Sequence, residues 1–412
     1  MTPAVDRDRL SEELATLATF SEAEAPAVTR VVFTEADRRA RAYVSSLCTA
    51  AGFSVRADAV GNTFARLQGS ASDEPGIATG SHIDAIPNAG MYDGTVGVLG
   101  GLEAMRALVH DGLRPRRSID LLLFTSEEPT RFGIGCLGSR LLSGALDESA
   151  GTRLHGADGM TLDEARAQAG FSGALSSVRL SPGHYAAFVE LHIEQGPILE
   201  RLGLDVGIVT AIAAPAGLRI VVEGEGGHAG AVLMPDRRDA FLAAAEIALA
   251  VEATVRSTGA IDTVGTVGVC DIFPRAVNSV PSRAQLEVDV RDIDAERRDA
   301  ALARIAEACE AIATRRRVTI TREIVNADPP ARCAPHVVEA LTAAATARGL
   351  THQPMISRAY HDSLFMSRIA PTAMLFIPCR GGVSHRPDEY ASPDAIAKGT
   401  AVLADVLAAL SA

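Results

Sequence analysis

Apolar and polar positions in the first third of the chain alternate with the periods of helices and strands. Two stretches have the three- and four-residue apolar spacing of amphipathic helices, and a third helix is expected from about Thr95. Two continuous apolar runs predict strands that are buried on both faces. Strand, helix and strand in this order form a βαβ unit, which implies a largely parallel central sheet. The predicted helices are 6–20, 35–51 and 95–109, and the predicted strands are 53–58, 63–67, 76–79 and 118–124.

The pattern changes near residue 215 and returns near residue 326, where Asp328-Pro329-Pro330 follows. Between these points it predicts a two-layer α+β unit with a four-stranded antiparallel sheet. A unit inserted in this way suggests a lid or dimerisation domain (215–326), and 1–214 with 327–412 form the α/β domain. The strands of the inserted domain are 218–223, 263–269, 282–291 and 317–324, and its helices are 239–255 and 295–314. The α/β domain is completed by the strands 187–192 and 372–376 and the helices 335–348 and 393–411. Residues 143–183 are expected to cross the surface with one short helix.

Composition restricts the class of protein. The net charge of −12 over 412 residues argues against nucleic acid or an anionic membrane as a partner. The six cysteines contain no CxxC pair, which favours free thiols in a reducing compartment. The first residues lack the apolar core of a signal peptide, and no apolar run reaches the length of a membrane span. We therefore expect a cytoplasmic protein.

The first candidate for chemistry follows the apolar run 76–79. His82 and Asp84 are expected at the carboxyl end of that strand, and a loop then leads to Asp93. Open α/β sheets bind ligands beyond the carboxyl ends of their strands, and imidazole with carboxylate suits a borderline divalent ion. The alternative is a buried histidine that is satisfied by its neighbour Asp84.

The second candidate is the acidic pair Glu127-Glu128, which ends the predicted strand 118–124. Neighbouring strand side chains point to opposite faces, so both acids can serve one site only if the chain bends, and Pro129 makes a bend plausible. In a dinuclear hydrolase one carboxylate binds metal and the other acts as a general base. The alternative is an exposed acidic turn.

Two further histidines complete the pattern. His192 ends the strand 187–192 with Gln195 close behind it, and His385 lies in a glycine-rich loop, where a histidine usually faces solvent. With Asp93 as a bridge, these residues could bind two ions roughly 3.5–4 Å apart. Two divalent ions beside two carboxylates leave positive charge for an anionic substrate. The full ligand set is His82, Asp93, Glu128, His192 and His385.

Taken together, these stretches resemble the dinuclear-metal amidohydrolases of the M20 peptidase superfamily. The resemblance lies in the hydantoinase/carbamoylase branch, which includes N-carbamoyl-amino-acid hydrolases and allantoate amidohydrolases. It implies an aminopeptidase-like catalytic domain with a mostly parallel mixed sheet, and Glu127 as the general base. It also implies one metal ion on His82, Asp93 and His192 and a second on Asp93, Glu128 and His385. The motifs are 80–94, 125–132, 190–200, 226–239, 277–292 and 357–390.

The same resemblance gives roles to residues outside the metal ligands. It implies a homodimer in which His228 reaches the partner subunit's active site and stabilises the oxyanion. Asn278 and Arg291 would bind the substrate carboxylate, and Gln195 and His361 would also contact substrate. Without the resemblance, His228 would be a hairpin-turn histidine, and Arg291 would form a surface ion pair with Asp289 or Asp292.

One run departs from the usual pattern of the branch. Where carbamoyl-amino-acid hydrolases have Gly-Ala-Gly-His-Asp, this chain has Arg358-Ala359-Tyr360-His361-Asp362, which resembles the plant-type ureidoglycolate amidohydrolases. A phenol at Tyr360 would fill space that bulkier substrates need, and it could hydrogen-bond a substrate hydroxyl. The alternative is a tyrosine that packs at the rim without contacting substrate.

The resemblance therefore implies hydrolysis of (S)-ureidoglycolate to glyoxylate, ammonia and CO₂ in purine and allantoin breakdown. It favours Mn²⁺, although this ligand set would also accept Zn²⁺. Allantoate and N-carbamoyl-L-amino acids remain alternative substrates. A metal-free binding or scaffold protein on the same fold is the alternative of another class.

Overall fold

The computed structural model describes residues 3–71 and 73–412. They divide into two compact units, each of which is described by itself. The hydrophobic pattern does not predict that the short segment Ile356–Tyr360 belongs to unit 2. Unit 1 comprises Met1–Thr210, Cys333–Met355 and His361–Ala412, and unit 2 comprises Ala211–Arg332 and Ile356–Tyr360.

Regular structure accounts for most of the described chain, and the side chains of Asp6, Thr34 and Ser392 cap three of its helices by accepting backbone N–H bonds. The helices are α1 (Arg7–Ala18), α2 (Glu35–Ala50), α3 (Thr95–His110), α4 (Leu137–Ser143), α5 (Glu148–Gly151), α6 (Leu162–Gln168), α7 (Ile198–Leu202), α8 (Ala240–Ser257), α9 (Ala295–Arg316), α10 (Pro335–Ala347), α11 (Asp362–Met366) and α12 (Pro393–Leu410). The strands are β1 (Val28–Arg30), β2 (Ser54–Ala57), β3 (Thr63–Leu67), β4 (Gly76–His82), β5 (Ala85–Ala89), β6 (Ile119–Phe124), β7 (Tyr185–Ile193), β8 (Val206–Ile212), β9 (Ala214–Glu223), β10 (Gly227–His228), β11 (Val264–Phe273), β12 (Ser279–Val280), β13 (Arg283–Asp292), β14 (Thr319–Ala327), β15 (Ala331–Arg332), β16 (His352–Ser357) and β17 (Thr372–Ile377).

The main sheet of unit 1 has the strand order β8-β17-β7-β4-β6-β3-β2, with β16 also paired to β8. The four central strands β17, β7, β4 and β6 are mutually parallel, and antiparallel strands lie on either side. Every residue of β4, β6 and β17 is buried, which explains why these strands are continuous apolar runs. The helices α3 and α12 pack against this sheet and each other. The predicted mixed, mostly parallel α/β fold is confirmed.

Some elements of unit 1 were not predicted. Residues 85–89 were expected to be a loop, but they form β5, which pairs antiparallel with β1 in a separate two-stranded sheet. The three residues of β1 are too few to show a period, and Pro87 with Asn88 disguises β5 as a turn. The strands β8 and β16 and the short helices α4, α7 and α11 were also missed.

The stretch 143–183 was expected to cross the surface, but part of it is buried. Leu162, Leu175 and Val178 are at most 3% exposed and belong to a hydrophobic cluster of unit 1. The isolated apolar residues of this glycine- and alanine-rich stretch therefore anchor it to the core, which composition alone did not reveal.

Unit 2 has a four-stranded antiparallel sheet in the order β11-β13-β9-β14, which confirms the predicted small α+β fold. Burial alternates residue by residue along β13, because alternate side chains face α8 and α9. Val222, Ile247, Leu286 and Ile305 are among the residues of the resulting core. No helix in the described parts of either unit is long and apolar enough to span a membrane.

Candidate active site

Asp93 lies at the centre of a cluster of imidazoles at the carboxyl edge of the unit 1 sheet. Its Oδ1 lies 3.6 Å from His82 Nε2 and 3.1 Å from His192 Nε2, and its Oδ2 lies 3.1 Å from His385 Nε2. His82 ends β4 and His192 is in β7, which is paired in parallel with β4, so the sheet itself places both rings at one edge. The structure thus brings together four residues that are far apart in sequence.

The acidic pair after β6 reaches the same cluster. Glu128 Oε1 lies 3.3 Å from His385 Nε2, and Glu127 Oε2 lies 3.8 Å from His82 Nε2. The ligand atoms form two compact groups, one of His82, Asp93 and His192 and one of Asp93, Glu128 and His385, each within 4.8 Å. The groups share Asp93, and Glu127 belongs to neither.

A bend in the backbone turns both acids toward the cluster. Ser126, the second residue after β6, has a positive φ of 56°, which breaks the alternation of the strand. The Asp84 carboxylate accepts hydrogen bonds from the backbone N–H groups of Glu127 at 3.2 Å and Glu128 at 3.0 Å. Asp84 therefore holds the acidic turn, a role that no local pattern of residues predicts.

The first turn of α4 fixes the same acidic turn from its other side. The Cys136 N–H donates to the Glu127 carbonyl at 2.7 Å. The Leu137 N–H donates to the Ser126 carbonyl, and the Gly138 N–H donates to the Thr125 carbonyl, each at 2.8 Å. The Cys136 thiol also lies 3.4 Å from Glu127 Oε1. The Glu127 carboxylate is consequently held on a rigid backbone, as a proton-transfer group requires.

Two of the imidazoles have a defined tautomer. His82 Nδ1 lies 3.0 Å from the Asp84 carbonyl, and His192 Nδ1 lies 2.9 Å from the Ile193 carbonyl, so a proton on each Nδ1 is hydrogen-bonded. His192 Nε2 accepts the Gly94 N–H at 3.2 Å. Nε2 of each ring therefore lies toward Asp93, which is the arrangement of metal-binding histidines whose second nitrogen is held by the protein.

The electrostatics of the cluster call for additional positive charge. Burial, and then the charge of Glu128, raises the pKa of Glu127 well above its usual value, and burial with the charge of Asp93 raises the pKa of Glu128 to about 7. Burial opposes ionisation of Asp93, but its hydrogen bonds with the three histidines hold its pKa well below the usual value. The hydrogen bond to Asp93 raises the pKa of His385 to about 9. Protons neutralise this cluster when no metal is bound, and a mixed imidazole and carboxylate set fits divalent ions that replace those protons.

Gln195 and His361 lie beside these groups. Gln195 Nε2 donates to Asp93 Oδ2 at 2.8 Å and to Ser384 Oγ at 3.1 Å, and the buried Gln195 Oε1 has no hydrogen-bond partner among the described residues. The buried His361 ring has its centroid 4.4 Å from that of His192. Both residues are thus placed close to the ligand groups, and contact of either with substrate stays a prediction.

His361 and His192 also form a third compact group with Glu190. However, Glu190 Oε1 accepts the Ser81 hydroxyl at 2.8 Å, and Glu190 Oε2 accepts the Ser363 hydroxyl at 2.6 Å. Because both carboxylate oxygens are already engaged, we assign this group to the support of His192 and not to a further metal site.

The remaining predicted residues belong to unit 2. Arg291 pairs with Asp289 through Nε at 2.9 Å and Nη2 at 3.1 Å, as the alternative interpretation expected, and its Cζ lies 5.7 Å from the centroid of the Tyr360 ring. His228 is exposed and accepts the Gly230 N–H on Nδ1 at 3.1 Å. Asn278 is also exposed, and its backbone carbonyl accepts the Ala229 N–H. Their roles in substrate binding and oxyanion stabilisation stay predictions.

Comparisons with known proteins agree with the resemblance noted in the sequence. The chain is 53% identical over 415 residues to ureidoglycolate hydrolase of Arabidopsis thaliana, covering 99% of this chain and 87% of the relative. It is 38% identical to N-carbamoyl-L-amino acid amidohydrolase of Geobacillus stearothermophilus, covering 97% of each. A crystal structure of AtUAH in complex with (S)-hydroxyglycine matches with a TM-score of 0.92 at 52% identity, over 100% of this chain and 99% of that chain.

The family model of peptidase family M20/M25/M40 matches residues 78–409, which include every candidate ligand. Together with the full-length relatives, this confirms the superfamily expected from the motifs. The chain therefore belongs to peptidase family M20/M25/M40 and is a hydrolytic enzyme.

Proposed function

We propose that this protein hydrolyses the ureido C–N bond of (S)-ureidoglycolate. The observation that carries the proposal is the similarity to ureidoglycolate hydrolase over 99% of the chain at 53% identity, against 38% for the N-carbamoyl-L-amino acid amidohydrolase. The run at Tyr360, which departs from the carbamoyl-amino-acid pattern, supports the same substrate.

The proposed site holds two divalent ions per subunit, with Mn²⁺ favoured and Zn²⁺ possible. His82, Asp93 and His192 would hold one, and Asp93, Glu128 and His385 would hold the other, because these are the two groups of converging ligand atoms. The chemistry that such ions supply when bound is polarisation of the ureido carbonyl and acidification of a water molecule.

Glu127 is the proposed proton carrier. Its carboxylate lies 3.8 Å from His82 of the first ligand group and belongs to neither group. Burial raises its pKa well above the usual value, which suits a group that takes and returns a proton. Glu127 takes a proton from the attacking water and gives it to the leaving nitrogen. Gln195 Oε1, which has no hydrogen-bond partner in the described parts of the chain, would accept an N–H of the ureido group.

The products follow from the bond that breaks. Water adds to the ureido carbon and the C–N bond breaks, so carbamate and hydroxyglycine form. Carbamate decomposes to CO₂ and ammonia, and hydroxyglycine loses ammonia to give glyoxylate. The complex of AtUAH with (S)-hydroxyglycine supports this order of events for a protein that is 52% identical.

The roles of the unit 2 residues are part of the proposal. Asn278 and Arg291 bind the substrate carboxylate, for which a guanidinium provides two parallel donors. Tyr360 fills the space beside the substrate hydroxyl. Unit 2 serves as a lid and dimerisation domain of a homodimer, and His228 stabilises the oxyanion in the partner subunit. A cytoplasmic location stays a prediction.

The test is a panel of (S)-ureidoglycolate, allantoate and an N-carbamoyl-L-amino acid, assayed by ammonia release with metal-stripped and with Mn²⁺- or Zn²⁺-reloaded protein. We expect metal-dependent turnover with kcat/KM for ureidoglycolate exceeding the others by roughly 100-fold or more. The Tyr360→Gly variant should shift the preference toward bulkier ureido acids. Preferred turnover of allantoate or a carbamoyl-amino acid by the wild type would refute the substrate, and no metal dependence would refute the mechanism.

A further inference from the structure

Glu389 is a buried carboxylate that none of the steps above uses. It is 4% exposed and follows His385 by four residues, in the loop before α12. Its Oε1 accepts the backbone N–H groups of Tyr92 at 2.8 Å and Asp93 at 3.1 Å, and its Oε2 accepts the Ser384 hydroxyl at 2.7 Å. One side chain therefore joins the loop that carries Asp93 to the loop that carries His385.

The packing around this carboxylate shows that the contact is specific. A Cβ atom on Gly90 would lie 2.3 Å from Glu389 Cβ, so only glycine at this position allows so close an approach. The neighbouring rings of Tyr92 and Tyr390 also meet edge to face, with centroids 5.9 Å apart. The two loops are thus joined by packing as well as by hydrogen bonds.

Ser384 connects Glu389 to the shared ligand itself. The Ser384 hydroxyl lies 2.7 Å from Glu389 Oε2 and 3.1 Å from Asp93 Oδ2, and it accepts a bond from Gln195 Nε2. A hydroxyl donates one proton, and the shorter distance assigns that proton to Glu389. The Glu389 carboxylate therefore keeps the Ser384 proton away from an Asp93 oxygen that belongs to the second ligand group.

We propose that Glu389 is a positioning residue that orients Asp93 and His385 for metal binding, by fixing both loops and by directing the Ser384 proton away from Asp93. The inference rests on the metal site of the proposed function. Residues that orient ligands from outside the coordination sphere typically change metal affinity by about 10- to 100-fold.

Two variants separate the two parts of this role. Glu389→Ala removes the tie between the loops altogether. Glu389→Gln preserves size and can still accept the Tyr92 and Asp93 N–H bonds, but its amide N–H₂ would face Ser384 and turn the hydroxyl proton toward Asp93. Asp388→Asn is the matched control, since Asp388 is the adjacent, exposed acid and its carboxylate forms an ion pair with the exposed Arg386 at 2.8 Å.

The measurement is binding of Mn²⁺ and of Zn²⁺ to metal-free protein by titration calorimetry, with metal content checked after gel filtration. We expect E389A and E389Q to bind at least one ion about 10- to 100-fold more weakly than the wild type. D388N should bind as the wild type does. Substrate KM should change little, and kcat should recover when E389Q is assayed in excess metal, which distinguishes loss of metal from loss of catalysis.

The outcomes are distinct from those that test the proposed function. Wild-type affinity in E389Q and E389A, or equal weakening in D388N, would overturn the inference while leaving the proposed metal site intact. No metal binding by the wild type would overturn the proposed function itself. If metal-free E389A lacks a cooperative melting transition, the metal affinity of E389Q relative to the wild type and D388N decides. E389Q retains the buried volume and two of the three acceptor contacts.

Discussion

At the scale of single residues, the site depends on two neighbouring acids with different surroundings. Glu128 contacts His385 and belongs to the second ligand group. Glu127 contacts His82 and the Cys136 thiol, and it belongs to neither ligand group. Substitution of each by its amide changes charge and basicity with little change in size. The pair therefore separates metal binding from proton transfer.

We predict that Glu127→Gln lowers kcat by about 10²- to 10⁴-fold, because an amide cannot carry the proton, and that it keeps its metal. Glu128→Gln should instead lose metal from the second group and regain part of its activity in excess Mn²⁺. Metal analysis and steady-state kinetics on both variants check this. Metal loss in E127Q with full retention in E128Q would reverse the assigned roles.

A second prediction concerns pH and the metal-free protein. The folded-state pKa of Glu128 is raised to about 7 and that of His385 to about 9. A group whose pKa is raised on folding stabilises the protein below its unfolded pKa and loses that contribution as pH rises through the folded value. Metal-free protein should therefore become less stable from about pH 4.5 to pH 9, with Glu128 acting over the lower part and His385 over the upper part.

Bound metal should remove this decline, because the ions replace the protons. The measurement is the melting temperature between pH 5 and 9, with and without Mn²⁺. His385→Gln should flatten the upper part of the metal-free curve. A metal-free melting temperature that rises with pH over this interval would contradict the expected sign.

At the scale of elements, the loop between β5 and α3 places Asp93 against the end of β4. Gly94 has a φ of 65°, and a Cβ atom there would lie 2.4 Å from the His82 imidazole. Gly112, after α3, has a similar φ of 79° but no atom within 4 Å of its added Cβ. The two glycines share a backbone conformation and differ in what surrounds them.

We predict that Gly94→Ala and Gly112→Ala both lose about 1–2 kcal/mol of stability from the left-handed conformation. Only Gly94→Ala should also weaken metal binding, because the new methyl group displaces His82. Urea unfolding of the metal-free proteins and Mn²⁺ titration separate the two effects. Equal metal affinity in both variants would show that the close approach of Gly94 to His82 is not needed.

The positions of the buried strands could be predicted from the sequence, whereas the contacts between distant loops could not. The buried strands β4, β6, β7 and β17 are continuous apolar runs, so their positions, and with them His82 and His192, follow from the pattern. The contacts of Asp84 with the Glu127 turn and of Glu389 with Asp93 join residues 43 and 296 positions apart. Such bonds depend on which strands become neighbours, and no local period records them. The positive φ of Ser126, which lets both acids face one site, is likewise set by those tertiary bonds.

At the scale of the whole molecule, the ligand groups and four of the other candidates belong to different units. His82, Asp93, Glu128, His192 and His385 are all in unit 1, whereas His228, Asn278, Arg291 and Tyr360 are in unit 2. Each unit has a hydrophobic core of its own. A substitution in unit 2 should therefore alter substrate use without altering metal content. Whether His228 serves its own active site or that of a partner subunit depends on how the chains assemble.

The proposed homodimer makes a quantitative prediction about His228. If His228 serves the partner's site, a dimer of one Glu127→Gln chain and one His228→Ala chain contains one site with both defects and one with neither. Random exchange of equal amounts of the two variants makes half of the dimers mixed, so about a quarter of all sites should regain wild-type activity. The variants are mixed under mild dissociating conditions, reassociated and assayed with Mn²⁺ against each variant alone. Because a site served by its own His228 would be defective in every combination, no recovery after demonstrated subunit exchange would assign His228 to its own subunit.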